Sequence, residues 1–372
     1  MKMLIEKRIL LEGLNCTSKA LSTRNIIPVL NGIKFDLKKE GLYLTATDND
    51  ITIQTFIEKK DIKSIDEEGC TIVYGKTLLT TISKLQNTLI TVENFENNEV
   101  SFKTENGGIY DFPCFNEEDF PNIKLEQSKN PIELDGLKFK EIINNTSFAC
   151  SLQESRPLLT GVNIKLTGNL FEVVATDSYR LSKVNLILDK IYDENINIVI
   201  PARNINELVK LINKEDSIEI NVFANKALFK FNNIVFQTSL LNGTYPNTDN
   251  SIPKEFNYKL KANLKDFYSL LDTVSSLTQS KDKNIVDMEI NGSNLIVSAS
   301  SLEGKGKDKI IIENELNNNI KISFSVKYML DALKVFNKEE IYILLNGEVS
   351  PIILKEKDTE ELIELVLPMK TY

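Results

Sequence analysis

The sequence predicts an α+β fold built as three similar domains, each with two helices packed on antiparallel sheet. Three observations predict it. Ile27-Pro28-Val29-Leu30-Asn31-Gly32 leads into Ala46-Thr47-Asp48, and 129 residues later Arg156-Pro157-Leu158-Leu159-Thr160-Gly161 leads into Ala175-Thr176-Asp177 with every anchor at the same offset. Residues 166–177 then lie without a gap over residues 290–301, at offset 124. Finally, each copy flanks its alternating apolar runs with two stretches of helical apolar spacing. A long fixed period marks a duplicated unit, and a unit of this length is a whole domain. The 372 residues divide accordingly into 1–125, 126–253 and 254–372.

In chain order, the first helix of each copy is predicted over residues 8–21, 137–152 and 264–277. The second is predicted from apolar residues three apart: Leu79, Ile82 and Leu85; Ile205, Leu208 and Leu211; Met329, Ala332 and Val335. Residues 42–53, 217–223 and 341–345 alternate apolar with polar and are bounded by Asn, Asp and Gly, the pattern of half-buried strands ending in turns. Helices interspersed with many short strands suit an antiparallel sheet carrying helices on one face. In the third copy Asp177 becomes Ser301, so the aspartate is not needed to build the unit.

Composition narrows the function. With 42% hydrophobic and 26% charged residues the chain reads as a globular protein with several cores. No apolar run approaches a membrane span, and Met1-Lys2-Met3-Leu4-Ile5-Glu6-Lys7-Arg8 lacks the apolar stretch of a signal peptide, so a cytoplasmic location is expected. Cys16, Cys70, Cys114 and Cys150 are widely spaced and read as reduced, partly buried thiols. The chain has no histidine, which removes the commonest general base and zinc ligand. Phosphate-binding loops and a nucleophile elbow are also missing, and no cofactor or metal is expected. Gly304-Lys305-Gly306-Lys307 reads as a solvated hairpin loop.

Charge is informative in its distribution. The net charge of −9 argues against nucleic-acid binding over the general surface. The six helical segments with their ends carry +9, leaving −18 on everything else. Basic helices backed by acidic sheet, repeated in similar domains, suit a ring around DNA: inward Lys and Arg neutralise phosphates without reading bases, and the acidic exterior discourages binding outside the hole. Such a ring closes through a repeated head-to-tail interface, and three domains per chain make a homodimer of six domains the natural solution.

Four motifs now carry a resemblance over essentially the whole chain: Thr23-Arg24-Asn25-Ile26-Ile27-Pro28-Val29-Leu30, Ala175-Thr176-Asp177-Ser178-Tyr179-Arg180-Leu181, Tyr245-Pro246, and Leu365-Val366-Leu367-Pro368-Met369-Lys370. The chain resembles the bacterial sliding clamps, the DNA polymerase III beta-subunit family. The resemblance implies a head-to-tail homodimeric ring of six DNA-clamp domains around double-stranded DNA, opened by a clamp loader complex. It also implies that the ring tethers the catalytic subunit of the replicative polymerase. Other polymerases and repair proteins would dock through short peptides, with no catalysis by the clamp itself.

Residue by residue, the resemblance implies a peptide-binding groove from Leu159, Thr176, Ser178, Tyr179, Arg180, Leu181, Pro246, Val349, Pro351, Leu365, Val366, Leu367, Pro368, Met369 and Lys370. Leu, Val, Pro and Met suit an apolar slot, and Arg180 suits a polar rim. The competing reading makes Leu159, Leu181, Val349 and Val366 plain core and makes Thr176 and Asp177 a strand end like Thr47 and Asp48. Arg180 is sharper, because the first copy has Ile51 at that place. Asn250, Ser251, Leu367 and Lys370 depart from the family's usual residues and bear on which peptides the rim prefers.

Arg24 and Gln153 align with family positions near DNA, whereas Lys76, Lys84, Arg203, Lys210, Lys327 and Lys334 follow from helix charge alone, where a solvated helix face is the competing reading. Two other function classes compete. One is an enzyme using Asp48 and Asp177 as paired carboxylates; the other is a monomeric scaffold that binds peptides alone.

Overall fold

The computed structural model describes residues 1–21, 27–95, 98–214, 216–278, 284–302, 304–315, 318–357 and 359–369. Among them are six α-helices: α1 (Lys7–Thr17), α2 (Gly75–Lys84), α3 (Gly136–Thr146), α4 (Ala202–Val209), α5 (Leu264–Ser275) and α6 (Val326–Leu333). Each begins at the residue after a strand, so the same strand-to-helix step occurs twice in every copy.

The helices are amphipathic in the sense the spacing predicts. Helix α1 buries Leu10, Gly13, Leu14 and Thr17, and α5 buries Phe267, Leu270, Leu271 and Val274, both at i, i+3, i+4, i+7. Helices α1 and α3 are shorter than predicted. Thr17 Oγ1 donates to the Gly13 carbonyl (2.9 Å) and Thr146 Oγ1 to that of Ile142 (2.9 Å), and each chain then tightens into a 3₁₀ turn at Ser18–Ala20 and Ser147–Ala149. A hydroxyl that back-bonds the preceding turn competes with helix continuation. In α2 the core-facing pair is Leu78 and Ile82, four apart, while Leu79 and Leu85 are only half-buried.

Cα-contact density divides the chain into two compact units, Met1–Lys140 with Arg203–Leu240, and Glu141–Ala202 with Leu241–Tyr372. The first holds a five-stranded sheet, in order Ile62–Glu67, Lys2–Glu6, Leu89–Phe95, Glu99–Thr104 and Ile109–Pro113. It also holds an eight-stranded sheet in which Ile234–Ser239, from the second copy, pairs with Ile51–Glu58, from the first. In the second unit a seven-stranded sheet pairs Arg180–Pro201, from the second copy, with Leu362–Val366, from the third. A four-stranded sheet there runs Lys305–Ile311, Asn294–Ser300, Ile285–Asn291 and Ile320–Ser325. Every strand pairing is antiparallel. Sheets therefore run across the copies, and contacts gather around the shared sheets.

Two expectations about strands are corrected. Residues 42–53 are not one run but the hairpin Gly41–Thr47 and Ile51–Glu58. Gly304-Lys305-Gly306-Lys307 is not a loop, because Lys305–Ile311 forms the edge strand of the four-stranded sheet. The reason for Gly306 is packing: a Cβ there would collide with Leu277 Cδ1. The cysteines are free, Cys150 buried and the others half-buried, and desolvation pushes the Cys70 and Cys150 thiols up to about 12. No helix is long and apolar enough to cross a membrane among the described residues.

Replacing Gly306 with Val forces Leu277 off its seat, and overpacking of this kind costs about 1–3 kcal/mol. The expected result is a lowered urea midpoint, and an unchanged midpoint contradicts the packing role.

Candidate functional site

The site grows from a turn that the chain makes twice. Asp48 Oδ1 accepts from the backbone N–H of Asp50 (3.1 Å) and Ile51 (2.8 Å). Asp177 Oδ1 accepts from Tyr179 (2.9 Å) and Arg180 (3.0 Å), the same donors 129 residues on. Thr47 Oγ1 donates to the Ile51 carbonyl at 2.9 Å, and Thr176 Oγ1 to that of Arg180 at 2.6 Å. Asn49 and Ser178 both sit at positive φ, 76° and 77°, where side-chain acceptors steady the strained backbone. The aspartates are thus strand-turn builders whose Oδ1 atoms are occupied by backbone.

On this shared turn the two copies carry different side chains. Ile51 is buried, whereas Arg180 projects into a polar clamp. Its Nε donates to Asp177 Oδ2 (3.0 Å) and its Nη1 to Asp331 Oδ2 of α6 (2.9 Å). The guanidinium carbon lies 4.6 Å from the centroid of the Tyr328 ring and 5.3 Å from that of Phe148, and Tyr179 stacks on Tyr328 at 6.4 Å. Arg156 Nη1 donates to Ser178 Oγ (2.9 Å).

The C-terminal segment supplies the adjoining wall. Leu181 pairs with Leu365 and Ser182 with Glu364, while Ile352–Lys355 pairs with the other edge of the same strand. Alternation then sends neighbouring side chains to opposite faces. Leu365 joins Leu159, Leu181, Tyr245 and Ile353 in one apolar cluster, and Val366 joins the α5–α6 core. Beyond the strand, the Leu367 N–H donates to the Tyr179 carbonyl (2.9 Å) and that of Met369 to Ser323 (2.7 Å). These bonds hold Leu367, Pro368 and Met369 half-buried beside the turn. Pro246 is exposed next to Tyr245, whose hydroxyl accepts from the Thr176 N–H (3.1 Å), and Lys183 Nζ donates to Asp249 Oδ1 (2.8 Å) to hold the following turn.

The structure therefore brings Leu159, Thr176, Ser178, Tyr179, Arg180, Leu181, Leu365, Val366, Leu367, Pro368 and Met369 into one continuous tract. Leu159, Leu181 and Leu365 are its buried base, Val366 is buried on the opposite face of the strand in the α5–α6 core, and Tyr179 with Leu367–Met369 is its accessible part. Val349 is 74% exposed and Pro351 half-buried, on the loop before Ile352–Lys355, outside the apolar cluster. Lys370 lies outside the described residues. Sequence reasoning missed Asp331, Tyr328 and Phe148. The helical pair Tyr328/Asp331, three apart like a helix face, was the available signal.

Of the basic residues, Lys76, Lys84 and Lys327 are exposed, and so is Gln153. Arg203 is 71% exposed and lies 3.7 Å from Asp48 Oδ2, while Lys210 pairs with Glu207 (2.7 Å) and Lys334 with Asp331 (3.1 Å). Exposed pairs of this kind are weak and leave the ammonium groups able to exchange partners. Arg24 lies outside the described residues. Among the described residues no three acidic or thiol side chains converge on a metal position.

Comparison with known proteins gives consistent results. Models of the DNA polymerase III beta subunit match in succession: its N-terminal domain over residues 1–124, its central domain over 133–247 and its C-terminal domain over 250–370. The beta sliding clamps of Staphylococcus epidermidis and Bacillus subtilis are 34% and 31% identical, each over the full length of both chains. The solved sliding clamp of Bacillus subtilis superposes with a TM-score of 0.96 at 30% identity, and the DNA polymerase III beta chain of Streptococcus pneumoniae with 0.93 at 31%, again covering both chains completely.

One buried carboxyl beside the tract fixes a pH dependence. The Ser182 hydroxyl lies 2.6 Å from the Asn145 carbonyl and 2.5 Å from Glu364 Oε1, one proton between two oxygens, so a protonated Glu364 supplies the second. Glu364 is 1% exposed, and desolvation raises its carboxyl well above the usual range. A raised folded-state value contributes stability that is fully present below the unfolded value, about 4.3, and is lost as pH rises toward the folded value. Glu364→Gln removes this loss, so its stability relative to the parent chain should climb by up to about 1.4 kcal/mol per pH unit above pH ~5. Denaturation midpoints measured across that range test it, and a difference independent of pH contradicts a protonated Glu364.

Proposed function

We infer the function from a single premise: the chain belongs to the DNA polymerase III beta-subunit family, the sliding clamps. It is a DNA sliding clamp, the processivity factor that encircles duplex DNA and tethers the replicative polymerase. The observation that carries this is the succession of three beta-subunit domain matches along nearly the whole chain. We assign clamp domains to residues 1–125, 126–253 and 254–372, and a head-to-tail homodimer of six domains as the working form.

Such a ring needs two different surfaces on each chain. Unpaired sheet edges at Ile109–Pro113 and Lys305–Ile311 offer them, with Ile109 61% and Ile311 81% exposed, large apolar side chains in search of cover. The linkage to DNA is topological, so the ring leaves only by opening or by sliding off an end, and weak screened contacts suffice. Arg24, Gln153, Lys76, Lys84, Arg203, Lys210, Lys327 and Lys334 are assigned to the DNA-facing surface, where the lysines and arginines neutralise phosphates and the Gln153 amide hydrogen-bonds them, without reading sequence.

The tract around Arg180 is assigned as the groove for short peptides of the polymerase catalytic subunit, the clamp loader complex and other polymerases and repair proteins. Its apolar base and half-buried Leu367–Met369 wall suit extended peptides. No catalysis is assigned. Asp48 and Asp177 spend an oxygen each on two backbone N–H groups, which removes the reason for reading them as paired catalytic carboxylates.

Two outcomes follow. Because Leu365 and Val366 are core, the informative deletion starts after them: a chain ending at Val366 should lose polymerase-peptide binding and keep the two-chain mass in sedimentation. Loss of both together refutes the separation of groove from ring interface, and a one-chain mass for the intact protein at micromolar concentration refutes the ring. Lys84→Glu with Lys210→Glu should shorten retention on linear duplex, where the clamp leaves by sliding off an end, and flatten its salt dependence, since each lost phosphate contact weakens binding and removes a released counterion. Unchanged retention removes both lysines from the lining.

A further inference from the structure

We propose that Asp331 is the positioning residue of the peptide groove, locking the Arg180 guanidinium in one orientation so that the groove selects partner segments by hydrogen-bond acceptor geometry and not by negative charge. The proposal rests on the groove assignment made above. Its first support is the repeat itself. The first copy builds the same turn with Ile51, so neither the fold of the turn nor its hydrogen bonds require an arginine. Whatever Arg180 does is a property added in the second copy.

The second support is the completeness of the clamp. The Arg180 side chain is 11% exposed and Asp331 25%, low enough for a charge-assisted bond to hold its geometry. Asp177 fixes Nε and Asp331 fixes Nη1, so the planar guanidinium is held at two points, and Tyr328 and Phe148 bring aromatic faces to its carbon. Tyr328 and Asp331 stand three apart on α6 and so present together. Of the three guanidinium nitrogens only Nη2 has no hydrogen-bond partner among the described residues, so its N–H groups, held in the plane that the other two fix, are left for a ligand oxygen.

Charge compensation gives the selectivity. Asp177 and Asp331 flank one guanidinium, so the rim offers a directional donor and little free positive charge. Among the described residues, Lys334, on the other oxygen of Asp331, and Arg156, on Ser178, are the other cations bonded to this cluster, and both are exposed and screened. A backbone carbonyl or side-chain amide should therefore serve as well as a carboxylate. With Asp331 neutralised, Arg180 keeps one carboxylate, gains mobility and exposes charge, and acidic ligands should then be favoured.

The test uses the intact dimer and fluorescent synthetic peptides tiled across the replicative polymerase's catalytic subunit. The tightest tile is compared with its acid-to-amide version in parent chain, Asp331→Asn, Asp331→Glu, Arg180→Ala and the Arg180→Ala/Asp331→Asn double variant. Expected are a roughly tenfold loss of affinity in Asp331→Asn, partial recovery in Asp331→Glu, and a double variant no weaker than Arg180→Ala alone. Acid and amide peptides should bind the parent equally, and the acid form should gain with a new salt dependence only in Asp331→Asn. Additive losses in the double variant, or a parent that already prefers the acid form, overturn the proposal. Should Asp331→Asn fail to fold, Arg180→Lys reads the same point: it keeps the charge and loses the fork, so parent-like affinity in Arg180→Lys overturns it too. If no tile binds the parent chain, the groove assignment itself fails and this inference with it.

Discussion

Backbone pairing between copies is the constraint on which the rest of the structure depends. A strand at the edge of a sheet leaves a row of N–H and C=O groups without partners, and a duplicated domain brings new edges with every copy. Here Ile234–Ser239 closes on Ile51–Glu58, and Arg180–Val184 closes on Leu362–Val366. The second of these pairings also makes the site. It draws the strand Leu362–Val366 alongside the strand that leaves the Asp177 turn, and the next three residues, Leu367 to Met369, are then held against Tyr179 and Ser323. The wall of the proposed groove is thus a by-product of satisfying a sheet edge.

Duplication explains why the proposed groove falls at one junction and not at every turn. The Asp48 and Asp177 turns agree to within a degree in the left-handed residue and share all four side-chain bonds to backbone. What differs is what leaves the turn. In the first copy Ile51 goes into the sheet core; in the second Arg180 reaches Asp331, Tyr328 and Phe148. The scaffold is inherited, and the chemistry is carried by substitutions on it.

Much of this was legible in the sequence because it depends on local periodicity. Spacing located all six helices, and the Thr-Asp pairs located both turns. The apolar C-terminal residues Leu365 and Val366 belong to a strand paired on both sides, Leu362–Val366, and Leu367–Met369 follow it half-buried. What escaped depends on partners far apart in the chain. Asp331 lies 151 residues from Arg180, and its spacing from Tyr328 on α6 marks a shared helix face without naming the residue that the face meets. Glu364 reads as an exposed strand residue until Ser182 is placed opposite it. The helix ends at Thr17 and Thr146 turn on hydroxyl back-bonding, and Gly306 turns on the seat of Leu277, neither of which a one-dimensional pattern records.

The central claim is that this chain acts by encircling DNA, a topological statement that composition, with its net charge of −9, does not favour for any open-surface binder. The most direct measurement loads the protein onto nicked circular duplex with a clamp loader, isolates the complex and then linearises the DNA with a restriction enzyme. A clamp stays on the circle and leaves rapidly once ends exist. Equal retention on circular and linear DNA would contradict encirclement and with it the ring.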